Sequence, residues 1–301
     1  MLTLAAATEI VRAHVDPSLT VTGVRALTGG MVNAVVELIT DGEPASVVAK
    51  LAQGPDAGGF QWEFDSLTYF RRHTRLPVPR PYACFDGCGS FAGKGIVMAK
   101  VPGRHLGAAR MTDPGRRRLQ EELADLVADL HTHRREAYGP AYRPGETARW
   151  LDIFRPRLEG NYRDAREHLS AEARRAVERL LDDLDDRLPE FAEPTLTHGD
   201  LWANNIMVLD DDADRPRVAA FLDGHAQFAE VESELAYLRV FGAADEAFFQ
   251  RYAEHHTLRE GFDARCRIYW LNTMLLHLWL FGREYLPACE RLAREAADPT
   301  A

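Results

Sequence analysis

The stretch THGDLWANNIMVLDD, residues 197–211, sets His198, Asp200, Trp202, Asn204 and Asn205 in one polar run that passes directly into apolar residues 206–209. A second apolar run, RVAAFLDG at 217–224, ends on Asp223, with the acidic turn 210–214 between the two. Both runs read as short strands bounded by turn residues, a pairing that brings residues distant in sequence to one place. Asp200, then Asn205 five residues on, then Asp223 is a set suited to metal-assisted phosphoryl transfer. One carboxylate stands beside an attacking hydroxyl, while an amide oxygen and a second carboxylate hold Mg²⁺ against nucleotide phosphates. Mg²⁺ takes hard oxygen donors and keeps several waters, so two protein ligands plus phosphates suffice.

Toward the N-terminus, residues 3–14 read as a short helix. Residues 21–52 read as three antiparallel strands broken at Gly29-Gly30 and Asp41-Gly42. Lys50 ends the third strand. Phe60, Phe64, Leu67 and Phe70 then have helical spacing and carry Glu63 one turn from the strands. These residues supply the rest of a phosphate site: the Lys50 ammonium on the phosphates, Glu63 to orient it, and the backbone of Gly29 and Gly30 in close approach. No Walker A sequence occurs, which argues against a P-loop enzyme. After prolines that keep 76–87 extended, GIVMAKVPG reads as a buried strand running into a linker, and beyond it the pattern is mostly helical.

The expected fold is therefore α+β. A small antiparallel-sheet N-lobe at 1–98 and a hinge at 99–103 precede a largely helical C-lobe at 104–301, which carries the catalytic loop, metal site and acceptor pocket. A chain of 301 residues exceeds the size at which one core stops growing, so two packed lobes are expected. The net charge of −10 gives no basic footprint for nucleic acid or an anionic membrane. Cys84, Cys88, Cys266 and Cys289 show neither zinc spacing nor a disulfide framework and read as free thiols in a reducing cytoplasm. No targeting or membrane-spanning stretch and no obligate protein partner is evident. Of the 36 basic residues only Lys50, Lys94 and Lys100 are lysine, which marks them as places where a compact ammonium is required.

HGDLWANN resembles the catalytic loop of the aminoglycoside phosphotransferase, choline kinase and fructosamine kinase superfamily, whose fold is similar to that of protein kinases. GGMVNAVVEL resembles its first hairpin, VVAK its lysine strand, FQWEFDSL its glutamate helix and VADLHT the helix before the active site. Trp202, ESELAYLRVFG at 232–242 and IYWLNTMLLHLWLFGREYL at 268–286 resemble the fructosamine kinase branch in particular. The resemblance implies Asp200 as catalytic carboxylate, Asn205 and Asp223 as Mg²⁺ ligands, and Lys50 with Glu63 as the phosphate-binding pair. It further implies that ATP or GTP is the donor, its base held by the VMAKV segment with Met98 and Lys100.

Two segments depart from that branch: Ala203-Asn204 replaces its usual Ser-Gly, and DGHAQFAEVE at 223–232 lacks its Pro-Ala and later Gly. The departures favour an antibiotic or other natural product as the sugar-bearing acceptor, slightly ahead of a fructosamine or ketosamine. A nucleotide-binding pseudokinase is the reading from a different class. Trp202, Asn204, His225 and Glu230 are the candidate acceptor contacts, Glu230 facing a cationic group. His198 reads as a buried brace of the loop, and Tyr269, Trp270, His277, Trp279 and Phe281 read as core.

Overall fold

The computed structural model describes residues 2–27, 34–53, 59–191 and 193–298. In chain order the elements are α1 (Leu4–His14), β1 (Val21–Ala26), β2 (Ala34–Thr40), β3 (Ser46–Ala52), α2 (Gln61–His73), β4 (Pro81–Cys88), β5 (Phe91–Ala99), β6 (Arg104–His105) and α3 (Asp113–Leu130). Next come β7 (Gly139–Pro140), α4 (Leu151–Ala165), α5 (Ala171–Asp182), α6 (Leu184–Arg187), β8 (Thr195–Thr197), β9 (Ile206–Leu209), β10 (Arg217–Phe221) and β11 (Gln227–Ala229). The chain ends with α7 (Val231–Val240), α8 (Glu246–His255), α9 (Phe262–Phe281) and α10 (Leu286–Ala297). By packing, residues 1–119 and 204–226 form one unit, and residues 120–203 and 227–301 a second.

The first unit is built on an antiparallel sheet in the order β1-β2-β3-β5-β4. Strand alternation decides what each face carries. Val47, Ala49 and Leu51 of β3 are buried on the face covered by α1, whose Ile10 and Val11 join the same core. Val48 and Lys50 turn the other way. Because directly paired residues share a face, Ile96 (opposite Lys50) and Met98 (opposite Val48) stand on the Lys50 side. α2 buries Glu63, Ser66, Leu67 and Phe70, a single stripe at helical spacing.

Residues 204–226 join this unit because β9 pairs with both β10 and β6. Gly103, at φ 104°, precedes β6, and a Cβ there would lie 2.3 Å from the Val208 carbonyl oxygen, so only glycine seats the strand. The Phe221 N–H donates to the Pro77 carbonyl at 2.8 Å, and the Ala226 N–H to the Ser66 hydroxyl at 3.1 Å.

The second unit is largely helical, with a small sheet in the order β7-β11-β8. Trp270 Nε1 donates to the Ala236 carbonyl at 2.5 Å, tying α9 to α7, and the Asn161 amide donates to Asn272 Oδ1 at 2.9 Å, tying α4 to α9. The aromatic set on α9 is only partly core. Tyr269 is buried, whereas Trp279 is 54% and Phe281 40% exposed, because the apolar composition of α9 continues into its last turn while its packing does not. The four cysteines are free thiols. No helix of the described residues is long and apolar enough to cross a membrane.

Candidate active site

In the first unit, Lys50 Nζ donates to Glu63 Oε1 at 2.7 Å and to Asp223 Oδ1. The three come from β3, the first turn of α2 and the residue pair after β10, so strand alternation, a helix stripe and a strand end converge on one ammonium. Burial alone would depress the Lys50 pKa, but the charges of Glu63 and Asp223 outweigh it and raise it above its ordinary value. Burial acts on Glu63 as well, pushing its carboxyl up against the opposing pull of Lys50. Breaking such a buried pair from one side costs about 3–5 kcal/mol.

Asp223 is the one described residue other than glycine with positive φ, at 59°. Asp tolerates this left-handed conformation better than most side chains. One residue before it, the Leu222 N–H donates to the Asn205 carbonyl at 2.7 Å, and Phe221 pairs with Ile206. The β9–β10 register therefore sets Asn205 and Asp223 side by side at one end of the hairpin. An amide oxygen and a carboxylate there fit the hard-oxygen donor set of Mg²⁺. Of the other sequence candidates in this unit, Met98 is buried on the Lys50 face, and Lys100 donates to Glu37 Oε1 at 2.5 Å. His225 stacks on Trp62, ring centroids 3.9 Å apart, and Asn204 is exposed. Gly29 and Gly30 lie outside the described residues.

In the second unit the loop after β8 is held from behind. Glu234, buried in the first turn of α7, accepts the backbone N–H of His198 at 3.1 Å and of Gly199 at 2.5 Å. Gly199, at φ 85°, makes the turn that presents both N–H groups to one carboxylate. His131 Nε2 lies 3.0 Å from Glu234 Oε1, and its Nδ1 lies 2.8 Å from the Tyr252 hydroxyl. Burial opposes ionisation of Glu234, yet the bonds from His131 and the loop amide hold its carboxyl below the ordinary range; burial also lowers the His131 pKa. The consistent assignment is a neutral His131 that donates from Nε2 to Glu234 and accepts from Tyr252. On the front of the loop, the Tyr237 hydroxyl donates to Asp200 Oδ1 at 2.7 Å. The Asp200 N–H donates to His198 Nδ1 at 3.4 Å, and His198 is fully buried, in keeping with a brace.

Tyr237 also lines a cavity of about 470 Å³ in this unit, walled by α4 and α9 and reaching Thr197, Gly199 and Gln227 at the loop. Such a volume is typical of small-molecule pockets. Arg157, Asn161, Asn272, Thr273 and His277 give its walls polar groups, and Trp150, Phe154 and Tyr269 give aromatic faces.

The fructosamine kinase family model matches residues 3–297. The chain belongs to the fructosamine kinase family. It is 26% identical over 258 residues to a provisionally named ketoamine kinase of Staphylococcus aureus, covering 77% of this chain and 88% of that one. With mouse ketosamine-3-kinase it shares 24% identity over 266 residues, covering 75% and 79%. A solved structure from Thermobifida fusca, provisionally named fructosamine-3-kinase, superposes with a TM-score of 0.74 at 22% identity, covering 98% of this chain and 99% of that one. An aminoglycoside phosphotransferase solved with ADP and hygromycin B gives 0.65 at 18% identity, covering 93% and 96%. The kinase-like α+β fold expected from the sequence is therefore present, and as a fructosamine kinase family member the chain is a phosphotransferase enzyme. The preference for an antibiotic acceptor finds no support, since the named relatives are ketoamine and ketosamine kinases.

Within this chain the sequence candidates separate by location. Lys50, Glu63 and Asp223 meet directly, and Asn205 adjoins Asp223 through the hairpin. Glu230, expected to face a cationic acceptor, is buried against Arg259 of its own chain. Trp202 packs near Phe241, centroids 6.3 Å apart, and stands outside the cavity wall. Sequence reasoning missed Tyr237, His131 and the α4 residues. The first two fall inside ESELAYLRVFG and VADLHT, stretches noticed only as likenesses, and α4 was read only as part of a mostly helical region.

Proposed function

We propose that this fructosamine kinase family member transfers the γ-phosphoryl group of ATP to a sugar hydroxyl of a ketosamine. The observation that carries the proposal is the Lys50–Glu63–Asp223 cluster, found in a chain that the family model matches almost end to end. Lys50, oriented by Glu63, holds the nucleotide phosphates, and the backbone of the 99–103 hinge, with Met98 beside it, receives the base. Asn205 and Asp223 hold Mg²⁺, which when bound neutralises charge on the phosphates. Asp200 orients the acceptor hydroxyl and takes its proton, and Tyr237 fixes the direction of that carboxylate. The cavity beside Tyr237 supports a small polyhydroxylated acceptor, and the four free thiols fit work in the cytoplasm.

Mass spectrometry tests the proposal on ketosamines, aminoglycosides and nucleoside antibiotics incubated with MgATP and either the wild-type chain or Asp200→Asn. One phosphate gained on a ketosamine, and absent with the variant, is the expected result. Phosphate on an aminoglycoside alone would reverse the choice of acceptor.

A further inference from the structure

The cavity wall of the second unit contains three formally charged residues, Arg157, Asp164 and Glu234. Asp164 is met by Arg163 at 3.4 Å, and Glu234 is occupied by His131 and the loop amides. Arg157 is different. Among the described residues it makes no hydrogen bond or ion pair, and Glu146 acts on it only through space. Its side chain is exposed and lines the cavity, and the surrounding protein lowers its pKa below the ordinary arginine value. A guanidinium that lines a cavity and holds no counter-charge can meet a ligand anion without first breaking an existing pair.

Two further observations point the same way. The chain carries a net charge of −10, so an anionic acceptor gains nothing from long-range attraction and needs a local cation to be held. The neighbouring cavity groups, Asn161, Asn272, Gln227 and Thr273, are neutral hydrogen-bonding side chains suited to sugar hydroxyls.

Resting on the ketosamine reading above, we infer that Arg157 is a specificity-determining residue that binds an anionic group, a carboxylate or a phosphate, on the acceptor. The planar guanidinium takes either group through two parallel N–H bonds. A ketosamine built on a free amino acid carries a carboxylate close to its sugar, and a sugar phosphate carries the alternative. A polycationic aminoglycoside would meet like charge in the same wall and be disfavoured.

Calorimetry without nucleotide tests the contact on the full chain, using acceptor pairs that differ by one anion. One pair is 1-deoxyfructosyl-glycine and its glycinamide; the other is 1-deoxyfructosyl-methylamine with and without a 6-phosphate. The wild type is expected to bind the anionic member of one pair about 10–100-fold more tightly, and the pair that shows it identifies carboxylate or phosphate as the group. Arg157→Gln brings that ratio close to one, and Arg157→Lys restores only part of it, since a point charge lacks the fork. Equal affinities within both pairs, no binding by any member, or a ratio untouched by Arg157→Gln would overturn the inference. The same pairs are then supplied with MgATP. A binding preference without phosphate transfer removes the ketosamine kinase reading and leaves the anion contact standing; transfer without a preference does the reverse.

Discussion

Tyr237 and Asp200 stand 37 residues apart in sequence, yet the phenol donates to the carboxylate at 2.7 Å and so selects which oxygen is left for a substrate. Burial, and then the Asp200 charge, push the Tyr237 pKa well above the ordinary tyrosine value, so it remains a donor at any working pH. Tyr237→Phe is expected to lower kcat about 3–30-fold by freeing the carboxylate to rotate, and Asp200→Asn to lower it about 10²–10⁴-fold. Nucleotide affinity measured by calorimetry should hold in both, and a loss there would remove the assigned roles. Asp200 was legible in sequence because a fixed motif surrounds it. Tyr237 was not, because a tyrosine at helical spacing looks the same whether it packs in a core or aims at a carboxylate.

At the level of elements, the first turn of α7 and the sheet each carry a buried acid with a measurable consequence. Glu234 joins α7 to the loop after β8 and to His131 at once, so Glu234→Ala leaves two backbone N–H groups and an imidazole without their acceptor. A loss of about 3–5 kcal/mol in denaturant unfolding is expected, with Glu234→Gln recovering part. A variant as stable as the wild type would show that the bolt carries no load.

Glu37 on β2 is 2% exposed between Arg25 and Lys100. Burial opposes its charge, but hydrogen bonds from Lys100 and Arg25 pull its pKa from 4.5 down to about 2. A depressed carboxyl stabilises the fold above its unfolded pKa, and the contribution fades as pH falls from 4.5 toward 2. Glu37→Gln should therefore be less stable than the wild type near neutral pH by about 1–2 kcal/mol, a figure reduced for its solvent-exposed partners. The gap should close on acidification; a gap that is constant with pH would mean packing rather than charge. The long elements were readable beforehand from period alone. The two- and three-residue strands β6, β7, β8 and β11 were not, since pairing with distant partners creates them and so few residues show no period.

For the whole molecule, the proposed donor site predicts a linkage between ligand and stability. MgATP at about 100 times its Kd adds about 2.7 kcal/mol to the folded state. A rise in Tm of several degrees is expected, shrinking when EDTA removes the metal; no shift at all would argue against the nucleotide site. The acceptor was the least legible property of the sequence. Its candidate pocket draws on α4, α7 and α9, which are separated by long stretches of chain, and the substituted segments at 203–204 and 224–231 pointed attention elsewhere.

The left-handed backbone at Asp223 has a practical use. Asparagine is the rare replacement that accepts this conformation and occupies the same space while discarding the charge. On the metal-binding role proposed for Asp223, Asp223→Asn is expected to be a decoy in which the backbone persists while catalysis stops. Immobilised and washed with a metabolite extract, it would retain the molecules that the working enzyme converts and releases.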